Sequence, residues 1–279
     1  MLKLMYITNR PEVAQIAEAA GVDRIFVDME FIGKDERQKG LDTVKSHHTP
    51  ADIRAVKAAV KSAQVLARIN PIHPAQPDYP DSAGEIEAAL EAGADLLMLP
   101  YFKTPEEVAE FLSLVRGRAV TMLLVETPEA AARLEEILAL PGIDQVHIGI
   151  NDLSLGLGKG FMFELLADGT VEGLCLKLRQ KGIPYGFGGI AALGGGALPA
   201  EYIIREHYRL GSGCAILSRS FCDTSKVSDL DQVRKTFLEG VRAIRALEAE
   251  CETHAAYFWN SRRELERRVQ WILDQKKGG

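Results

Sequence analysis

The chain is predicted to fold as a TIM-type (β/α)8 barrel, and three observations carry that prediction. Short apolar runs alternate with amphipathic stretches about eight times, the pattern of repeated βαβ units and so of parallel strands. The 279 residues cover the roughly 250 of one such barrel and leave a surplus. Three helices start with a Thr-Pro signal on the side where strands end, at Thr49-Pro50, Thr104-Pro105 and Thr127-Pro128, where Thr accepts from an unpaired N–H and Pro has none to satisfy. A doubly wound open sheet shares this alternation and is the alternative, because periodicity does not report closure.

Strand 3–7, helix 11–20 stopped by Gly21, and strand 24–28 make the opening βαβ unit. A polar insert over 31–48 precedes helix 50–62, which carries Asp52 in its first turn. Strand 64–69 runs into a proline-rich loop over 71–81, and a capping box, Ser82-Ala-Gly-Glu85, opens the helix that stops at Gly93. Strand 95–99, helix 105–115, strand 119–125, helix 128–138 and strand 145–148 continue the alternation. Helix 170–181, strand 184–187, a helix over 199–209 and strand 213–217 complete it. The surplus, 229–276, reads as one long helix or two, with Val233, Phe237, Val241, Ile244 and Leu247 on one apolar stripe. The chain therefore divides into a barrel domain, 1–228, and a helical extension, 229–279, packed on its own barrel or on a neighbouring subunit of a homo-oligomer.

A hydrophobic share of 47% and a charged share of 26% suffice for a full core. With a formal net charge of −6 and no basic run, nucleic acid and anionic membrane are excluded as general partners. Cys175, Cys214, Cys222 and Cys251 are scattered, which suits reduced core thiols rather than a disulfide framework or zinc knuckle. The first apolar run, 1–7, is too short for a signal-peptide core, and none approaches the ~20 residues of a membrane span, so a cytoplasmic protein is expected.

Chemistry is expected where strands end, at the carboxyl mouth of the barrel. Two apolar runs stop there in a carboxylate, Glu126 and Asp152. Hard oxygen donors without a Cys or His cluster beside them suit Mg²⁺ or Mn²⁺ better than zinc, and such a cation stabilises an enolate oxygen. Other strand ends add Asp28, Glu30, Arg68 and Asn70, and the planar Arg68 fork suits a substrate carboxylate. His47 and His48, at the end of the polar insert, are candidates for the imidazole that transfers a proton; His73 is a weaker one, and His147, within a strand, reads as a core residue. The glycine-rich run 186–196, with Gly188 and Gly189, lies where barrels often hold phosphate and offers a place for a phosphorylated or CoA-linked substrate.

Four stretches carry a resemblance: Phe26-Val-Asp28-Met-Glu30, Ala67-Arg68-Ile-Asn70, Val125-Glu126-Thr127-Pro128 and Gly149-Ile-Asn151-Asp152-Leu153-Ser154-Leu-Gly156. Together they resemble the HpcH/HpaI aldolase and citrate lyase β-subunit family of phosphoenolpyruvate/pyruvate-type barrels. The resemblance implies Mg²⁺, Mn²⁺ or Co²⁺ at Glu126 and Asp152, a substrate carboxylate at Arg68, and retro-aldol or Claisen-type cleavage to a pyruvate or acetyl enolate. Beyond what the resemblance implies, Asn70, Gly149 and Asn151 are expected to contact substrate, and Asp28 and Glu30 to organise water on the cation. The pyruvate aldolases of this family place a histidine after the Asp-x-Glu of strand two, where this chain has Phe31. The leading expectation is a metal-dependent aldolase acting on a small 2-oxo or hydroxy acid. The alternatives are a citrate-lyase-like enzyme acting on an acyl-CoA thioester and a non-catalytic metabolite-binding or assembly barrel.

Overall fold

A computed structural model of the chain describes residues 1–34, 46–253 and 257–278. Eight parallel strands close in sequence order: β1 (Lys3–Ile7), β2 (Arg24–Asp28), β3 (Gln64–Arg68), β4 (Leu96–Leu99), β5 (Val120–Val125), β6 (Gln145–Ile148), β7 (Tyr185–Ile190) and β8 (Cys214–Leu217). Because β8 pairs back onto β1, the sheet is a barrel and the open-sheet alternative falls. Alternation along each strand sorts the core into two compartments. Met5, Phe26, Leu66, Leu96, Met98, Met122, Leu124 and Cys214 fill the interior. Their neighbours, among them Leu4, Ile25, Val27, Val65, Leu97 and Leu123, face the surrounding helices.

Around the barrel run α1 (Pro11–Ala19), α2 (Pro50–Ala59), α3 (Ser82–Glu91), α4 (Pro105–Val115), α5 (Pro128–Ala132), α6 (Leu134–Ile137), α7 (Ile150–Gly156), α8 (Glu164–Ala167), α9 (Thr170–Gln180) and α10 (Ala200–Leu210). The Thr-Pro starts hold: Thr49, Thr104 and Thr127 are the N-caps of α2, α4 and α5. The capping box expected at Ser82 does not form. Asp81 is the N-cap, accepting from Gly84 N–H at 2.9 Å, and Glu85 turns inward. The single helix expected over 128–138 is two short ones meeting at Arg133.

The extension forms α11 (Leu230–Thr253) and α12 (Tyr257–Gly278), both folded back on the same barrel. α11 lies along α1 and α10, where Val233, Phe237, Val241 and Ile244 are buried. Arg245 ties it to the amino end of β1 by donating to Leu2 O at 2.8 Å and pairing with Asp23 at 3.2 Å. α12 packs on α8 and α10 through Leu265 and Val269, and Arg262 donates to Leu166 O and Ala167 O, carbonyls at the end of α8. Among the described residues, no helix is long and apolar enough to cross a membrane.

β7 runs past its expected end at 187, because it absorbs Gly188 and Gly189. A Cβ at Gly186 would lie 2.2 Å from Cys214 O, so only glycine lets β7 and β8 approach this closely. The β7–β8 register is irregular between Gly186 and Gly189, and His147 Nε2 lies 3.2 Å from Gly188 O within that stretch. The ring nitrogen donates there, which leaves Nδ1 bare toward Cys214 Sγ at 3.8 Å. Burial pushes the His147 pKa down to about 4 and that of His207, stacked on Phe187, to about 3. Both rings are therefore neutral core groups, as His147 was read from its position inside a strand.

Their neutrality makes stability depend on pH with a definite sign. The unfolded chain binds a proton at each histidine below about pH 6.5, whereas the folded chain resists until near the lowered values, so this stability is complete above pH 6.5 and lost as pH falls toward 4. Each site contributes a slope of roughly 1.4 kcal/mol per pH unit in that window. His147→Gln, which keeps an N–H for Gly188 O, is expected to flatten the fall of Tm between pH 6.5 and 4.5 by about one site's share. Parallel Tm curves for variant and wild type would show that His147 is already protonated in the fold.

Candidate active site

The carboxyl mouth is built by the period of two. One inward position beyond the apolar interior, Phe26 gives way to Asp28, Leu66 to Arg68 and Leu124 to Glu126. Asp28 and Arg68 are direct partners in the β2–β3 register, so their side chains emerge opposite each other. Arg68 donates through Nε to Asp28 Oδ1 and through Nη2 to Oδ2, both at 2.8 Å, and its Nη1 lies 3.3 Å from Glu30 Oε2. The guanidinium also sits 5.4 Å above the centre of the Phe26 ring, which forms the apolar floor beneath it. Desolvation on its own raises the Asp28 pKa, but Arg68 and Lys34 outweigh it and hold the carboxyl well below the usual carboxylate range. Desolvation likewise opposes the Arg68 charge, and Asp28 and Glu30 override it upward. Neither group exchanges a proton at any ordinary pH.

Lys34 is the residue that sequence reasoning missed. Its Nζ is 3.0 Å from Asp28 Oδ2 and 3.4 Å from Glu30 Oε2, with the side chain only 5% exposed. A lysine inside a polar insert carries no signal of such burial, since its partners are chosen by how the turn after β2 closes. That turn is held from outside. Asn70 Oδ1 accepts from Phe31 N–H at 2.9 Å and Ile32 N–H at 2.8 Å, and Lys34 N–H donates to Phe31 O at 3.1 Å. Asn70 is in turn fixed by Glu85, which accepts from its backbone N–H and, at 2.8 Å, from its Nδ2. Asn70 is fully buried and supports the turn from behind, rather than lining the mouth. Tyr79 donates to Glu85 at 2.9 Å and meets the Phe31 ring edge-on at 4.8 Å, so Phe31 faces the 71–81 loop.

Glu126, at the end of β5, is 5% exposed and accepts from Tyr101 N–H at 3.1 Å. Tyr101 adopts a left-handed backbone (φ 49°), uncommon for a residue with a side chain, and this turn after β4 aims its N–H at the carboxylate. Across the sheet stands Gly149: a Cβ there would be 2.7 Å from Glu126 Cβ and 2.8 Å from Oε2. The glycine is the space that the carboxylate occupies. Asp152 is not at the strand end. β6 stops at Ile148, and Asp152 lies in the first turn of α7, where Asn151 Nδ2 donates to its Oδ1 at 3.0 Å.

The donor set fits a hard divalent cation. Glu126 and Asp152 offer carboxylate oxygens from neighbouring βα connections, and among the described residues no three Asp, Glu, His or Cys side chains converge as a ready-made ligand cage. A cation held by this pair takes its other ligands from water and substrate, the usual habit of Mg²⁺.

His48 comes to the same mouth, whereas His47 is exposed. His48 Nδ1 accepts from Asp28 N–H at 3.0 Å, so its neutral ring carries the proton on Nε2. Burial lowers its pKa against the pull of Asp28 and Asp52, which keeps it neutral. His73 lies within the 71–81 loop, its ring nitrogens 2.8 Å from Pro71 O and 3.1 Å from Pro80 O. Gly188 is accounted for by its backbone and packing, with a left-handed φ of 55° and a Cβ that would meet Ile150 Cδ1 at 2.8 Å, whereas a Cβ on Gly189 would make only an ordinary contact with Ile216 O at 3.4 Å. Further along, Gly194 N–H donates to Glu201 Oε1 at 2.8 Å, which puts a carboxylate where a phosphate would need that donor.

Comparison with known proteins bears on the whole arrangement. The sequence model of the family described as HpcH/HpaI aldolase/citrate lyase matches residues 3–161. A hydroxypyruvate/pyruvate aldolase of Sagittula stellata is 26% identical over 176 residues, 52% of this chain and 67% of that enzyme. A pyruvate kinase of Methylorubrum extorquens is 38% identical over 72 residues, but this match takes in 26% of the chain and only 15% of that enzyme. Among solved structures, an HpcH/HpaI aldolase/citrate lyase family protein from Burkholderia cenocepacia has the same fold, with a TM-score of 0.61 at 18% identity, over 84% of this chain and 94% of that one. The family match covers more than half of the chain, Asp28, Arg68, Glu126 and Asp152 included, and this protein belongs to the HpcH/HpaI aldolase/citrate lyase family.

Proposed function

We propose that this protein is a divalent-cation-dependent carbon–carbon lyase of the aldolase type, cleaving or forming a bond beside the pyruvate-like enolate of a small 2-oxo or hydroxy acid. The observation that carries this reading is Glu126, set into the space left by Gly149 with Asp152 on the next connection, at the same mouth as Arg68. The names of the Sagittula relative and of the family point to the same chemistry. Glu126 and Asp152 would hold Mg²⁺, Mn²⁺ or Co²⁺, which supplies a Lewis acid for the enolate oxygen. Arg68, kept planar and ionised by Asp28 and Glu30, orients the substrate carboxylate with its remaining N–H groups. Neutral His48, whose Nδ1 lone pair is taken by Asp28 N–H, would offer its Nε2–H as a hydrogen-bond donor rather than accept the transferred proton. The carboxylate of Glu201 at the glycine-rich loop favours a small acid over a CoA thioester or phosphorylated substrate.

Solvent exchange of the methyl protons of pyruvate or 2-oxobutyrate, supplemented with Mn²⁺, tests enolate formation without knowledge of the second substrate. Wild type is expected to exchange, and Glu126→Ala to lose at least about a hundredfold in rate, the scale of removing one transition-state electrostatic contact. Absence of exchange in wild type with every 2-oxo acid tried would overturn the aldolase reading, and Mn²⁺ affinity unchanged in both Glu126→Ala and Asp152→Ala would overturn the metal site. Gly149→Ala keeps both carboxylates but intrudes on Glu126, so it is expected to lower Tm, as overpacking a buried site does, and to weaken Mn²⁺ binding of the folded variant. Wild-type Mn²⁺ affinity in that variant would mean that Glu126 does not depend on the space at 149.

A further inference from the structure

The buried lysine beside Arg68 is not used by the chemistry above, and its position poses a charge problem with a functional answer. Arg68 already faces two carboxylates, through Nε and Nη2 on Asp28 and through Nη1 on Glu30. A guanidinium neutralising two acids is a poor receptor for a third anion, because the first two dominate the local potential. Lys34 changes the balance at the atoms that matter. Its Nζ approaches Asp28 Oδ2 and Glu30 Oε2, the same two oxygens that Arg68 approaches through Nη2 and Nη1. Two cations and two anions thus close a ring of zero net charge, with Lys34 on the buried side at 5% exposure and Arg68 on the more open side at 15%.

We infer that Lys34 is a specificity-determining positioning residue, whose ammonium offsets Asp28 and Glu30 so that Arg68 can receive an anionic substrate carboxylate. This rests on the proposed reading of Arg68 as the carboxylate-binding group. Without Lys34 the described side chains of the mouth would hold four carboxylates, Asp28, Glu30, Glu126 and Asp152, against one guanidinium. The turn that delivers Lys34 belongs to the same device. Its N–H groups are held by Asn70, and Asn70 by Glu85, so the ammonium is placed by hydrogen bonds that reach back to α3.

The test uses the full chain in the Mn²⁺-supplemented methyl-exchange reaction, with saturation curves for pyruvate in wild type, Lys34→Met and Lys34→Arg and a melting curve for each. The expected result is a KM for pyruvate raised about tenfold or more in Lys34→Met, with the rate at saturation within about threefold, and a KM near wild type in Lys34→Arg. A purely structural lysine would instead lower the saturated rate and the Tm together. An unchanged KM in Lys34→Met, or a fall in saturated rate at constant KM, overturns the inference and leaves the aldolase reading standing. If Lys34→Met does not fold, Lys34→Arg decides: a KM near wild type supports the inference and a raised one overturns it. No exchange in wild type with pyruvate or any other 2-oxo acid tried overturns both readings.

Discussion

The Asp28–Arg68 fork is the constraint on which the rest of the mouth depends. It follows from register, because β2 and β3 pair these two residues directly, and from alternation, because both project over the apolar interior topped by Phe26. A pair this poorly hydrated is costly to assemble and costlier to break: removing one partner of a buried ion pair typically destabilises by roughly 3–5 kcal/mol, since the other charge is left behind. Glu30 and Lys34 complete it electrically. The result is a cross-braced platform in which Asp28 and Arg68 hold their charges rather than trade protons.

The opposite side of the mouth is ordered by other means. Glu126 is placed in part by shape and by a backbone donor: the missing side chain of Gly149 makes room, and the left-handed turn at Tyr101 supplies an N–H. Asp152 arrives on the first turn of α7, where a carboxylate is favoured by the helix N-terminus and is braced by Asn151. The mouth therefore has a pre-paired half at β2–β3 and a half at β5–β6 whose carboxylates are presented by backbone geometry. That asymmetry suits a substrate carrying a carboxylate at one end and an oxygen to be polarised near it.

The glycine-rich stretch near β7 shows how composition misleads when packing is the cause. Gly186 and Gly188 lie inside the strand, the first where Cys214 O leaves no room for a Cβ and the second with a left-handed backbone (φ 55°) against Ile150. The Gly188 carbonyl, within the irregular stretch, is taken up by His147 from the barrel interior. One buried histidine and two glycines thus solve a single packing problem between β6, β7 and β8.

Much of this protein was determined by the sequence alone. Eight alternations with Thr-Pro helix starts specify parallel strands and the end of the sheet where side chains gather, and strands of period two that stop in Asp28, Arg68 and Glu126 put those residues at that end. These features are local, carried by neighbours a few residues apart. Tertiary structure alone decided what depends on contacts distant in the chain. Barrel closure rests on the pairing of β8 with β1, and the return of α11 and α12 rests on Arg245 and Arg262 finding carbonyls of other elements. Glu85 looked like half of a capping box until Asn70 claimed its carboxylate, and through Asn70 it sets the turn that buries Lys34. No local pattern encodes that chain of partners, because each link is chosen by which strand lies next to which once the barrel has closed.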